Sequence, residues 1–283
     1  MLKVSDSSDP DKKKHRIIAL VDDTEYGTVS LAHAFKFARI FNADLCVIQP
    51  ESKETSAKIR LGIEQLNAEF PEDAKTLVLT PEISGVFKKN IFHYAEAENA
   101  IIMVLPASRA KGETLYTHKS ALKLIQKSRI PCVVTGLMLP SADAYKNVVL
   151  PLDSLRQSKE KSLWAGYFSR FYKATVHILI ASYKDEYLKD KVLGNLKFTQ
   201  KIYANLEIDY KIHNVGEIKE DIDEYALQFA PQVNGTLVLV MTTRFFTVFD
   251  LFLGPPELKV IANPQQLPVM CINQRDDLYV LCT

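Results

Sequence analysis

The chain has 283 residues, a formal net charge of +1, 47% hydrophobic and 24% charged residues. Such totals suit two ordinary globular units and exclude attraction to nucleic acid or an anionic membrane through bulk charge. No run reaches the roughly 18 consecutive apolar residues that a membrane helix requires.

Residues 1–14 are polar, end in Lys12-Lys13-Lys14 and contain no apolar stretch of the kind a signal peptide carries. They read as a solvated tail on a cytoplasmic protein. From there strands and helices alternate. Strands are expected near 16–22, 44–49, 75–80, 100–105 and 132–136, with helices near 26–42, 55–69, 84–98 and 117–128. A short linker, Leu137 to Ala144, follows. A second series has strands near 147–152, 175–181, 206–213, 236–241 and 268–272, and helices near 156–172, 184–204, 217–230 and 256–263. The strands are short continuous apolar runs, the pattern of parallel strands covered on both faces. Leu206 to Ile212 alternates instead and is expected to be an edge strand with one wet face. Residues 274–283 read either as a tail docked on the surface or as an extra edge strand.

The two series are copies of one unit. Ile17-Ile18-Ala19-Leu20-Val21-Asp22 matches Val148-Val149-Leu150-Pro151-Leu152-Asp153 at an offset of 131 positions, and the offset continues through Ala34/Ala165, Phe37/Phe168 and Arg39/Arg170. The expected architecture is therefore α/β: two tandem doubly wound parallel five-stranded sheets, spanning 15–137 and 145–273. The linker is too short for free motion, so the units should pack together. Cys46, Cys132 and Cys271 lie inside apolar runs and read as buried thiols. Cys282 stands near the C-terminus, and none of the four forms a CxxC pair.

Asp22 and Asp153 each end a first strand just before a helix. Ligands of open parallel sheets bind at that end. An acid there also suits the helix amides and dipole, and both roles remain open. The six histidines form no metal constellation, and neither a GxSxG nor a Walker-type glycine loop is present.

The segment VVLPLDSLRQSKEKSLWAGYFSRFYKATVHILIAS, with LPVMCI at the end of the second unit and IPCVVTG at the end of the first, resembles the universal stress protein family. The resemblance covers nearly the whole chain and implies a tandem member. ATP-binding members of that family carry Gly, two residues, Gly, nine residues, Gly, then Ser or Thr after the fourth strand. In the first unit these positions fall on Pro106, Arg109, Lys119 and Ser120, so only the hydroxyl matches. In the second they fall on Met241, Arg244, Gly254 and Pro255, so only the third glycine matches. Bulky residues block backbone approach to phosphate, and proline has no amide to donate.

The resemblance also maps a nucleotide site onto Pro151, Asp153, Ala181 and Gly254 in the second unit, and onto Asp22, Pro50 and Ser120 in the first, where Leu20 replaces the proline. It implies a non-catalytic protein of the stress response that acts through protein partners or self-association, with degenerate phosphate loops and no cofactor. The alternative is a sensor binding ATP or another adenine nucleotide in the second unit. The two units should form an intramolecular pseudo-dimer with their fifth strands near the interface, and this body could pair again as a homodimer. Where the glycine loop is lost, Arg109, Lys111 and Lys119 make a basic loop, read as solvated or as an anion contact. Phe245, Phe249 and Phe252 share one helical face in the second unit, read as core packing or as an exposed patch.

Overall fold

The computed structural model describes residues 14–50, 55–70, 75–81, 87–242 and 255–274. The first unit contains β1 (Arg16–Leu20), α1 (Glu25–Ile40), β2 (Asp44–Ile48), α2 (Ala57–Ala68), β3 (Val78–Leu79), α3 (Phe87–Ala97), β4 (Ala100–Pro106), α4 (His118–Ile125) and β5 (Cys132–Thr135). The second contains β6 (Asn147–Leu152), α5 (Ser158–Tyr172), β7 (Thr175–Ile180), α6 (Glu186–Asn205), β8 (Tyr210–Asn214), α7 (Ile222–Phe229), β9 (Leu237–Thr242), α8 (Pro256–Ile261) and β10 (Val269–Asn273). The Phe245–Phe252 loop, Gly254 and the tail from residue 275 onward lie outside the described residues.

The strands form one sheet in the order β3-β2-β1-β4-β5-β10-β9-β6-β7-β8. Each unit thus repeats the same parallel order, with its first and fourth strands adjacent at the centre. The two expected five-stranded sheets are fused: β5 and β10 pair antiparallel, with Val269 opposite Val134, Met270 opposite Val133 and Cys271 opposite Cys132. Both fifth strands are buried along their length. Each therefore needs a neighbour for its backbone donors and acceptors, and the other copy supplies it.

Alternation within each strand divides the core between the two faces of the sheet. On β1, Ile17 and Ala19 join one cluster while Ile18 and Leu20 join the other. The first cluster runs unbroken across both units. Phe37 of α1 stacks on Tyr145 at 4.5 Å, and Phe168 of α5 meets Phe37 and Phe41 edge-on at 5.9 and 5.3 Å. On the other face α4 packs against α8.

The linker is held from both sides. Tyr145 has φ +70°, and its amide donates to Thr236 Oγ1 at 2.7 Å. Lys36 of α1 donates to the Ala142 carbonyl at 2.5 Å. His33 of α1 reaches both the Tyr145 hydroxyl and, at 2.7 Å, the Met138 carbonyl.

The edge-strand expectation holds in kind and shifts in place. Among the described residues β8 is the sheet's last strand, but it begins at Tyr210. Leu206 and Ile208 lie in the turn that closes α6, where the Ile208 amide returns to the Tyr203 carbonyl at 3.0 Å and Glu207 takes φ +53°. That helix-closing turn places two apolar residues two apart and so imitates strand alternation. Cys46, Cys132 and Cys271 are buried free thiols.

Candidate functional site: two diverged clefts

In the first unit the chain turns sharply after β1. Asp22 Oδ1 accepts from the Thr24 amide at 3.1 Å and the Thr24 hydroxyl at 2.5 Å, and Thr24 in turn caps α1 by accepting from the Gly27 amide at 3.2 Å. Gly27 is required here, because a Cβ would overlap the Asp22 carbonyl and carboxylate. Gly27→Ala is therefore expected to cost about 3 kcal/mol through this overlap. The urea midpoint measures it, and a midpoint equal to that of the parent chain would disprove the close approach.

The other carboxylate oxygen faces the loop that stands in place of the glycine motif. Asp22 Oδ2 accepts from the Thr114 hydroxyl and the Leu115 amide, both at 2.7 Å. Ser108 and Thr117 bridge the base of that loop. Thr117 then caps α4 by accepting from the Ser120 amide at 3.2 Å, while the Ser120 hydroxyl donates to the Thr117 carbonyl at 3.0 Å. Beside these groups lies a cavity of about 480 Å³, lined by Asp22, Thr24, Thr114, Thr117 and Ser120, with Lys111 bringing a positive charge. His118 is pushed down from its usual pKa by burial and by the nearby Arg109. Of the first-unit residues mapped from the resemblance, Asp22 and Ser120 meet at this cavity. Pro50 is not in its lining. It follows Gln49, whose side chain donates to Asp23 at 3.2 Å and accepts from the Ser56 amide at 2.5 Å.

The second unit solves the same corner differently. Asp153 Oδ1 accepts from the Leu155 amide at 2.7 Å, while Oδ2 lies 3.5 Å from the ammonium of Lys161. Lys161 is 0% exposed and also contacts Asp223 of α7 at 3.2 Å. Burial alone would lower the Lys161 pKa, but Asp223 and Asp153 outweigh it and hold it above its usual value. Burial raises Asp223 to about 7 against the opposing pull of Lys161. Asn195 of α6 closes the corner by donating to the carbonyls of Asp153 and Leu155 at 2.9 and 2.8 Å. Pro151 lies within β6, and Ala181, just after β7, is buried. A cavity of about 410 Å³ beside this corner is lined by Leu155, Lys159, Tyr187, Lys191 and Asn195. Asp153, Pro151 and Ala181 are not in its lining.

Sequence pattern by itself does not single out Lys161 and Asp223. One trace was available: Lys161 shares a helical face with Ser158, Ala165 and Phe168, where a charge is out of place. The matching position in the first unit is Ser30, also buried. Among the described residues no three His, Cys, Asp or Glu side chains converge as a metal site, and no helix is long and apolar enough to cross a membrane.

The sequence matches no protein-family model and no characterised protein. Solved structures do match. A universal stress protein from Archaeoglobus fulgidus superposes with TM-score 0.65 at 14% identity, over 94% of this chain and 98% of that one. A protein of unknown function from Pseudomonas aeruginosa gives 0.59 at 14% identity, over 95% of both chains. The cytoplasmic domain of a prokaryotic cation chloride cotransporter gives 0.52 at 10% identity, over 95% of this chain and 100% of that one. At these identities the likeness is one of fold: the chain has the tandem universal stress protein fold along nearly its whole length.

Proposed function

We propose that this chain, built on the tandem universal stress protein fold, is a non-catalytic protein of the stress response that works in the cytoplasm through protein partners or self-association. One observation carries the reading that its ligand corners are degenerate. In each unit the aspartate after the first strand is engaged from within, Asp22 by Thr114 and Leu115, Asp153 by Lys161. A nucleotide would have to displace these contacts, and in the second unit it would leave the buried ammonium of Lys161 with Asp223 as its one remaining carboxylate partner. With both fifth strands already paired inside one chain, further association has to use other surfaces, the β8 edge among them.

A second reading, an adenine-nucleotide sensor, draws its best support from the first unit rather than the second. The 480 Å³ cavity there combines hydroxyls, Lys111 and the start of α4, groups suited to an anion. Equilibrium dialysis with ATP separates the two. The degenerate reading expects no saturable uptake at millimolar nucleotide. Micromolar uptake abolished by Lys111→Ala would overturn it in favour of a first-unit sensor. Micromolar uptake abolished by Asp153→Ala would return the site to the second unit.

A further inference from the structure

The 410 Å³ cleft of the second unit stands apart from the buried ionic cluster, whose Asp153, Lys161 and Asp223 are not in its lining. One wall is the loop after β6, with Leu155 and Arg156. The other is one face of α6, where Tyr187, Lys191 and Gly194 recur at helical spacing. The two walls are pinned together by Asn195, whose side-chain amide donates to the Asp153 and Leu155 carbonyls. The cleft is thus formed before any ligand arrives.

Two features of the cleft have no use inside the chain. Gly194 sits in the interior of the 20-residue α6, where glycine is destabilising relative to alanine. Its φ is not positive, and a Cβ there would meet nothing within 4 Å outside its own stretch of helix. No packing requires glycine, and the missing side chain keeps the cleft open. The second feature is charge. Arg156, Lys159 and Lys191 line the cleft against one acid, Asp190. Lys159 stands over the Phe198 ring at 4.7 Å and Lys191 over the Tyr187 ring at 5.1 Å. Among the described residues neither of these two ammoniums has a carboxylate partner. The rings hold the charges in place without neutralising them. Leu155 and Tyr187, 52% and 68% exposed, add apolar surface beside them.

The first unit treats the same place in the opposite way. At the repeat offset of 131 positions, Ser154, Arg156 and Lys159 replace Asp23, Glu25 and Thr28. There Asp23 ties its loop to the start of α2, accepting from the Ser56 hydroxyl and, through its carbonyl, from Lys58. The second unit has reversed the charge and left the space open. We propose that this cleft binds a small amphipathic organic anion, with an apolar ring seated over Gly194 between Leu155 and Tyr187 and a phosphate or carboxylate held by Lys159 and Lys191. A cleft of this volume suits a small molecule. Positioned cations beside apolar surface distinguish such a ligand from a bare ion. The site does not depend on whether either aspartate corner takes a nucleotide.

The test is an amide NMR titration of the full chain, read at residues 193–195, with 1-naphthyl phosphate and 1-naphthoate as probes. At least one should bind saturably with Kd below about 1 mM. It should also bind about tenfold more tightly than inorganic phosphate or 1-naphthalenemethanol, which carry only one half of the chemistry. The tighter of the two probes identifies the acidic group. Gly194→Leu should abolish binding while the melting temperature holds or rises, because leucine favours the helix and fills the cleft. Lys159→Ala combined with Lys191→Ala should weaken binding about tenfold or more. The proposal is overturned if neither probe saturates, or if inorganic phosphate or 1-naphthalenemethanol binds as tightly. It is also overturned if either variant binds the probes as the parent chain does.

Discussion

Phe168→Ala is expected to destabilise the entire chain by about 4 kcal/mol, in one cooperative transition. Phe168 is 0% exposed and sits on α5 of the second unit, yet its ring neighbours Phe37 and Phe41 come from α1 of the first. Tyr145, just past the linker, completes the group at 6.0 Å. Truncation removes a large apolar side chain and leaves a void whose walls belong to both units, held apart by a continuous sheet beneath. Denaturant unfolding followed by the single tryptophan, Trp164 on α5, should coincide with the loss of helix circular dichroism, which reports both units. Two separate transitions would show that the units fold independently. A loss below about 1 kcal/mol would show that the shared aromatic group contributes little.

His33 should make folding sensitive to acid. Its Nε2–H donates to the Met138 carbonyl at 2.7 Å, so in the neutral ring Nδ1 is free to accept from the Tyr145 hydroxyl. Protonation puts a hydrogen on Nδ1, turns that contact donor to donor unless the hydroxyl swings round, and leaves a charge in the apolar junction. Burial accordingly lowers the His33 pKa from 6.5 to about 4. The unfolded chain then binds this proton first, so the His33 contribution is complete above 6.5 and is lost as pH falls toward 4. At about 1.4 kcal/mol per pH unit the loss reaches roughly 3 kcal/mol. His177, lowered to about 4 by burial and the adjoining His213, acts in the same direction, and Asp223 acts in the opposite one. The measurement is therefore the stability difference between the parent chain and His33→Gln at several pH values. That difference should shrink, or reverse, by about 3 kcal/mol between pH 6.5 and 4. A difference independent of pH would mean that the ring takes up its proton without disturbing the junction.

Much of the architecture was legible because it rests on local pattern. Continuous apolar strands bounded by amphipathic helices signal a sheet covered on both faces, and the near-identical spacing of Asp22 and Asp153 after their strands signals two copies of one unit. The third strand of the second unit was misplaced by four residues at its start because the helix-ending turn at Leu206–Ile208 repeats with the spacing of a strand. The Phe245–Phe252 loop, read as core packing or as an exposed patch, and Gly254, read as a retained glycine, fall outside the described residues.

By itself the sequence determined the repeat, the order of strands and helices, the apolar faces and the position of an acid at the mouth of each unit. All of these depend on residues within a turn or two of one another. The tertiary structure decided that two sheets become one, because β5 and β10 each have a neighbour on one side only until the other copy is present. It also decided what the two acids do. Asp22 meets Thr114 and Leu115 more than ninety residues away, and Asp153 shares Lys161 with Asp223, seventy residues further on. A lysine on a helix face has the same periodicity whether its head reaches water or a buried carboxylate. Only the approach of distant segments separates the two outcomes, and that approach makes one corner a polar cavity and the other a closed ionic cluster.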